Sequence, residues 1–402
     1  MNIVHVESFF HPDAGYQLNI LAKYMAKKGH NVTIITGEID KFPDFLTSFF
    51  GKDNIQKRDQ EYQRKYNVKI IRIPVIWYYS GRAFLSKAFF VALKECMPDI
   101  VFAHCHDDMV GIRTINYCLK NHVPVIGDTH MAEAASKNKL KGIFRFYYRN
   151  IEAPKIINNK IPIIRTGNID YVNKIYGIPL LQCPIVGFGS DLMLFHPDLE
   201  KKRNMRVNLG IDNDDFVVIY AGKLDEFKGG LFLAESLEET FPVNKNTIFL
   251  IIGNTIGEYG EKVRERLNNS NNNIILIPTV KYEELSDYFA CSDLAIIPKQ
   301  SSLTFYDYQA SGLPVIAEDI DVNRTRVCCS NGFLFNPGSK ASFRECITRC
   351  INMEDDEFQK LRSNSIRFVE ENYDYDKKCD EYISIIMQEL GKYQTANKRW
   401  NE

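Results

Sequence analysis

The chain has no excess of charge of either sign. Fifty lysines and arginines stand against 51 aspartates and glutamates, for a net charge of −1. Without a global positive field there is nothing to hold a nucleic-acid backbone nonspecifically, so nucleic acid is not expected as a partner. Long apolar runs are also missing. The stretch 83–96 is interrupted by Lys87 and Lys94, and a bilayer-spanning helix needs about 20 mostly apolar residues. No signal peptide is visible, since Met1 runs straight into the strand-like Asn2-Ile3-Val4-His5-Val6. The expected location is therefore cytoplasmic, with at most peripheral contact to the inner face of the cell membrane. Ten cysteines are present without a CxxC pair; Cys328 and Cys329 are adjacent, and Cys346 and Cys350 are four apart. No histidines cluster at zinc-like spacing, so the thiols read as small hydrophobes in a reducing compartment. Neither a metal nor a cofactor is expected. A GxGxxG fingerprint is absent too, which disfavours a dinucleotide-dependent dehydrogenase.

What the sequence does have is alternation. At 402 residues it exceeds one ordinary core, and two domains are the default. Strand patterns at 3–6, 31–36, 68–73, 100–104 and 123–128 alternate with helical patterns at 16–28, 86–96 and 109–121. The second half repeats the logic. Strands are expected at 216–221, 247–253, 274–277, 294–298 and 314–317, with helices at 230–240, 260–268, 282–290 and 304–311. Such βαβ order predicts a parallel sheet with helices on both faces. The boundary is expected in 195–208, where His196-Pro197-Asp198 breaks regular structure and Glu200-Lys201-Lys202-Arg203 is solvated. The expected organisation is 1–200, 201–375, and a C-terminal helix and tail over 376–402.

In open α/β sheets ligands collect at the carboxyl ends of the strands, which selects four segments. Pro12-Asp13-Ala14-Gly15-Tyr16-Gln17 joins a strand to a helix, and Gly15 lets a phosphate or sugar approach the backbone; an ordinary turn fits as well. In Gly222-Lys223-Leu224-Asp225-Glu226-Phe227-Lys228-Gly229-Gly230 two lysines flank a turn. Fixed cations suit a leaving diphosphate, although a solvated surface turn has the same composition. Pro298-Lys299-Gln300-Ser301-Ser302-Leu303-Thr304 leads into a helix carrying Asp307. Ser301, Ser302 and Thr304 could cap that helix, and Asp307 could accept ribose hydroxyls or be a plain helix carboxylate. Finally, Gly127-Asp128-Thr129-His130 ends a strand and turns His130 toward the ligand edge; His104 and His106 are similar candidates.

Taken in order, these segments resemble glycosyltransferase family 4, retaining enzymes of the GT-B fold. The resemblance runs over nearly the whole chain. It is carried by Gly15 with Lys28-Gly29-His30-Asn31-Val32, by Asp99-Ile100-Val101-Phe102-Ala103-His104, and by Gly187-Phe188-Gly189-Ser190-Asp191 with Phe195 and Pro197. Gly222-Lys223 with Lys228-Gly229, Cys291-Ser292-Asp293, and Asp307 with Gly312-Leu313-Pro314-Val315-Ile316 complete it. It implies an α/β architecture of two doubly wound Rossmann-like domains facing each other across a cleft, the C-terminal helix packing back toward the first domain. It implies a nucleotide-sugar donor, UDP- or GDP-linked, and a glycan or polyprenyl- or lipid-linked acceptor; a nucleotide-sugar-binding protein of the same fold without transfer activity, or a nucleotide-sugar epimerase, are the alternatives. His130 would then meet the donor sugar, Gly15 would lie near its phosphate, Lys223 and Lys228 would bind the diphosphate, and Asp307 would bind ribose. Ser301, Ser302, Leu303 and Thr304 would line the donor site. Retaining transfer in this family proceeds without a protein nucleophile, and none is evident here. There are two departures from the family's Glu-x7-Glu pair. The later glutamate is Asp307, one methylene shorter, and the earlier one is Lys299, a charge reversal.

Between Lys137 and Arg165 the chain also carries Lys139, Lys141, Arg145, Arg149, Lys155 and Lys160, with Phe144, Phe146, Tyr147 and Tyr148 among them. That mixture suits an anionic membrane surface, or a solvated face over buried aromatics. Phe45, Leu46, Phe49 and Phe50 suggest an acceptor-side loop.

Overall fold

The structure is a computed structural model that describes residues 1–42, 47, 50–79, 82–129, 141–168, 170–299 and 303–400. It divides into two units, Met1–Phe188 with Tyr375–Glu402, and Gly189–Asp374.

The first unit is built on β1 (Asn2–Val6), β2 (Asn31–Gly37), β3 (Val68–Ile73), β6 (Ile100–Ala103), β7 (Val125–Thr129) and β8 (Ile163–Arg165). They form one sheet in the order β3-β2-β1-β6-β7-β8, every pair parallel. Both faces are covered, so the strands read as near-continuous β-branched runs rather than alternating ones. Val4, Val6, Ile35, Val101, Val125 and Ile163 pack with Leu93, Ile112 and Ile115 from the helices. Between β3 and β6 the chain makes an antiparallel hairpin of β4 (Val75–Tyr79) and β5 (Arg82–Leu85) outside the main sheet. The sequence gives no sign of it beyond an apolar run after Pro74. The last helix, Tyr375–Trp400, belongs to this unit and runs as helix through 400. Lys28 ties it down by ion pairs to Asp376 and Asp380 at 3.0 and 2.9 Å, and the Tyr375 hydroxyl donates to the Gln17 carbonyl.

The second unit repeats the plan with β9 (Phe216–Ala221), β10 (Thr247–Ile252), β11 (Asn273–Ile277), β12 (Leu294–Ile297), β13 (Val315–Glu318) and β14 (Gly332–Phe335). Their order, β11-β10-β9-β12-β13-β14, is again all parallel. In both sheets the strand order reverses beside the first strand, between β1 and β6 and between β9 and β12, which is where doubly wound sheets open a crevice for ligands. Leu199–Leu209, overlapping the stretch 195–208 expected to be a boundary, is a helix of this unit. Its Arg206 is fully buried, paired with Asp293 at 2.8 Å and donating to the carbonyls of Cys291, Asp212 and Asp215. Breaking such a pair from one side typically costs about 3–5 kcal/mol.

Candidate functional site

The carboxyl edge of the second sheet is drawn together by backbone contact between the ends of β9 and β10. At Gly253, just past β10, φ is +154°, and a Cβ there would stand 2.0 Å from the Gly222 carbonyl oxygen. Only glycine lets the chain ends after β9 and β10 lie so close. The turn that follows β9 is held throughout its length. Tyr220 donates its hydroxyl to the Lys223 carbonyl at 2.6 Å, and Asp225 accepts the Lys228 amide at 2.9 Å. Gly229 sits at φ +77°, and its Cα faces the Lys299 side chain, whose Cβ would be 2.9 Å from an added methyl. Lys223 and Lys228 are thus carried on a fixed turn, not on a loose loop.

Lys228 is half-buried, and burial pushes its amine down to about 8; Asp225 counters this, while Lys223 and Arg326 depress it further. The charges of Lys223 and Arg326 are thus both felt at Lys228, where water is partly excluded. A polyanion bound beside them would raise the Lys228 amine back toward its ordinary range. Arg326 lies a hundred residues downstream, its guanidinium 4.9 Å from the centre of the Tyr306 ring. Lys299, the charge-reversed position, is exposed and turns its amine toward the Glu226 carbonyl at 3.4 Å. Beside the turn, Leu224, Gly253, Asn254, Thr255, Ile277 and Pro278 line part of a cavity of about 270 Å³ at the ends of β9, β10 and β11. It has room for a planar base, not for a whole nucleotide sugar.

Asp307 is placed on the helix Thr304–Ala310 but is not exposed. One carboxylate oxygen accepts from Ser190 Oγ at 2.6 Å and the other from the Tyr282 hydroxyl at 3.2 Å. Burial pushes its carboxyl up to about 7, against the lowering effect of those two donors. An unfolded aspartate titrates near 4. The raised native value means that the contribution of Asp307 to stability is fully present below about pH 4 and is lost as pH rises through about 7. Asp307→Asn should remove that dependence. Between about pH 5 and pH 7.5 the urea midpoint of the wild type should fall more than that of the variant; parallel slopes would show that Asp307 does not titrate in this way. Leu303 is the N-cap of this helix and Thr304 its first residue, so Thr304 does not play the capping role expected of it.

In the first unit the strand-end histidines face inward. His104 Nδ1 lies 2.6 Å from Asp128 Oδ2, and its Nε2 lies 3.0 Å from His5 Nδ1. All three are fully buried, and burial holds His5 well below the usual imidazole range. Neutral His5 and paired His104 therefore brace the ends of β1, β6 and β7. His106 is likewise buried against the Tyr148 hydroxyl at 2.5 Å. His104 and His106, expected as candidates at the ligand edge, are instead internal. Ser8 donates to Asp108 at 2.9 Å, joining the loops after β1 and β6 across the reversal point of this sheet. Gly15 lies half-buried two residues before the helix Gln17–Lys27.

Of the residues singled out from sequence, Lys223, Lys228, Lys299, Leu303, Thr304 and Asp307 all gather at the carboxyl edge of the second sheet, while Gly15 lies at that of the first. His130, Ser301 and Ser302 lie outside the described residues, as do Phe45, Leu46, Phe49, Lys137 and Lys139. Sequence reasoning missed Arg326, Ser190 and Tyr282. Only Ser190 had a signal, in Gly189-Ser190-Asp191.

Two family profiles match the chain, one within each unit. The profile described as Glycosyltransferase Family 4 covers residues 14–159, and that described as Glycosyl transferases group 1 covers residues 215–353. A probable sucrose-phosphate synthase of Thermosipho melanesiensis is 23% identical over 94% of this chain and 92% of its own length. The UDP-Gal:alpha-D-GlcNAc-diphosphoundecaprenol alpha-1,3-galactosyltransferase of Escherichia coli is 24% identical over 68% of this chain and 71% of its own. Among solved structures, a glycosyltransferase from Rickettsia africae superposes with a TM-score of 0.71 at 16% identity, over 96% of this chain and 98% of that one. Anabaena HepE in complex with UDP and glucose does so with a TM-score of 0.70 at 14% identity, over 96% and 99%. At those identities the structural likeness speaks for the fold. With each unit matched by its own family profile, the chain belongs to glycosyltransferase family 4 and is a glycosyltransferase of the GT-B fold.

Proposed function

We propose that the protein transfers a sugar, with retention, from a UDP- or GDP-sugar to a glycan or to a polyprenyl- or lipid-linked acceptor. The product would be a cell-surface polysaccharide, lipopolysaccharide or other glycoconjugate. The observation that carries this is the cation cluster of Lys223, Lys228 and Arg326 at the reversal point of the second sheet. As the glycosidic bond breaks, charge develops on the leaving diphosphate, and fixed cations in a partly dry site stabilise it most at that moment. The diphosphate itself can take the acceptor proton, so no protein nucleophile is required. The neighbouring cavity takes the base, His130 positions the sugar, and Gly15 lies near the phosphate. A thermal-shift screen of UDP-, GDP- and ADP-sugars tests the donor, since a ligand of the native state raises the melting temperature by mass action. NMR of the product anomer then tests retention. A rise with no nucleotide sugar, or an inverted anomer, would refute the corresponding part. A sugar-nucleotide-binding protein without transfer is the second possibility, favoured by the engagement of both Asp307 oxygens within the unit. Donor binding without turnover on any acceptor would support it.

We further propose that the first unit docks on anionic membrane. No helix among the described residues is long and apolar enough to cross a bilayer. However, Ile143, Phe146 and Ile151 are 70, 73 and 50% exposed, alongside exposed Lys141 and Arg149. Apolar side chains beside cations suit a headgroup region. Wild-type protein should float with phosphatidylglycerol vesicles and lose most of that binding with Phe146→Asp; absence of flotation would remove the idea.

A further inference from the structure

Cys328 and Cys329 are adjacent in sequence and exposed, and their sulfurs lie 3.1 Å apart. The other eight cysteines are buried or half-buried. The pair occupies the loop that also carries Arg326. That loop is latched by Asn331, which is fully buried. Its Nδ2 donates to the Arg326 carbonyl at 2.9 Å, and its Oδ1 accepts the Cys329 amide at 3.4 Å. The Arg326 carbonyl also accepts from Gln309 Nε2 at 3.0 Å. One buried side chain thus connects the backbone of the dithiol to the backbone of Arg326, whose charge is felt at Lys228.

We propose that Cys328 and Cys329 form a modification site, a vicinal dithiol that exchanges with small-molecule disulfides to close an eight-membered disulfide ring, and that closure weakens donor binding by loosening Arg326. The steps balance without any further reagent. One thiolate attacks a sulfur of RSSR, forming a mixed disulfide and releasing RS⁻. The second thiolate attacks the protein sulfur of that mixed disulfide and expels the second RS⁻. Two electrons pass to the reagent, and the two protons leave with two RSH. The ring forces the peptide between the two cysteines away from the geometry that presents the Cys329 amide to Asn331, so Asn331 loses one of its two anchors and its hold on the Arg326 carbonyl weakens, leaving Gln309 as that carbonyl's other donor. Burial and the neighbouring sulfur hold the Cys328 thiol above its ordinary value, so exchange should speed up as pH rises. The covalent chemistry stands on the loop alone. The coupling to donor rests on the diphosphate reading of the Lys223, Lys228 and Arg326 cluster.

The test uses the full chain treated with oxidised glutathione at mildly alkaline pH. Trypsin cuts after Arg326 and Lys340, giving a peptide, 327–340, whose cysteines are Cys328 and Cys329 alone. That peptide should lose two hydrogens in mass, and dithiothreitol should restore them. UDP or GDP affinity, by calorimetry, should fall about fivefold or more on closure, and should stay unchanged on oxidation of Cys328→Ser. A persistent glutathione adduct, or no reaction on this peptide, would overturn the site. Closure with unaltered nucleotide affinity would overturn the coupling. If neither UDP nor GDP binds the untreated protein, the donor assignment and the coupling fall together, while the peptide mass still decides the dithiol chemistry.

Discussion

Lys228→Ala is expected to lower kcat/KM about 30- to 150-fold, on the order of 2–3 kcal/mol of transition-state stabilisation. The amine sits among Lys223 and Arg326 with its proton already loosened by burial, to about 8. A bound diphosphate reverses that by supplying two opposite charges. The contact strengthens as negative charge builds on the leaving group, so kcat should fall along with affinity. The same residue sets a pH dependence. Below about 8 the free site already carries the charge that the donor needs. Above that, binding must take up a proton, and affinity should decline about tenfold per pH unit. Lys228→Arg keeps its charge throughout, and its donor affinity should stay flat where that of the wild type declines. A kcat/KM within about twofold of wild type for Lys228→Ala would mean that the diphosphate lies elsewhere.

Gly253→Ala should cost about 3 kcal/mol or more of stability, or about 6–12 °C in Tm if the unit unfolds as one. The added Cβ would stand 2.0 Å from the Gly222 carbonyl oxygen, at a φ of +154° that L residues rarely adopt. The neighbour is backbone, so it cannot swing aside as a side chain would. Relief requires the ends of β9 and β10 to separate, and Lys223 follows Gly222 directly. Nucleotide affinity should therefore fall with stability. Gly257→Ala is the comparison. Gly257 has φ +66° but meets no atom within 4 Å, so only the conformational penalty of about 1 kcal/mol applies. Equal melting temperatures for the two variants would show that the contact between the two strand ends is not tight in solution.

The sequence displays the two parallel sheets because buried parallel strands leave a strong mark, continuous β-branched runs separated by amphipathic helices. It hides elements whose cores are polar or shared. The helix Ile55–Tyr66 buries only Asp59 and Tyr62, so no apolar stripe announces it. The β4–β5 hairpin leaves Ile76, Trp77 and Tyr79 exposed, with Trp77 stacked on Phe84 at 4.3 Å, while Val75, Ala83 and Leu85 are buried in the core of the first unit. Its apolar run is therefore only partly buried, and length and apolarity alone do not separate its core-facing side from its exposed one. The helix Leu199–Leu209 looks like a solvated linker because its one buried residue is Arg206, and a buried arginine is legible only beside its Asp293 partner, 87 residues away.

The site divides in the same manner. Lys223 and Lys228 share one turn, so their spacing is written locally. Arg326 joins them only through the fold, from a loop beyond β13. Asp307 was visible as a helix carboxylate, but Ser190 lies 117 residues away from it and Tyr282 25. A ribose ligand and a carboxylate engaged inside the fold look alike until those donors are placed. The histidines at the end of β6 show the converse. Strand-end position pointed His104 outward, whereas pairing with Asp128 and His5 turns it inward.

Calorimetric titration of UDP and of GDP into wild-type, Lys223→Ala and Lys228→Ala protein at about pH 7 addresses the cation cluster most directly. One nucleotide should bind the wild type, and each substitution should weaken that binding about tenfold or more while melting temperatures stay within a few degrees. Undiminished affinity in both variants would contradict a diphosphate held by these lysines.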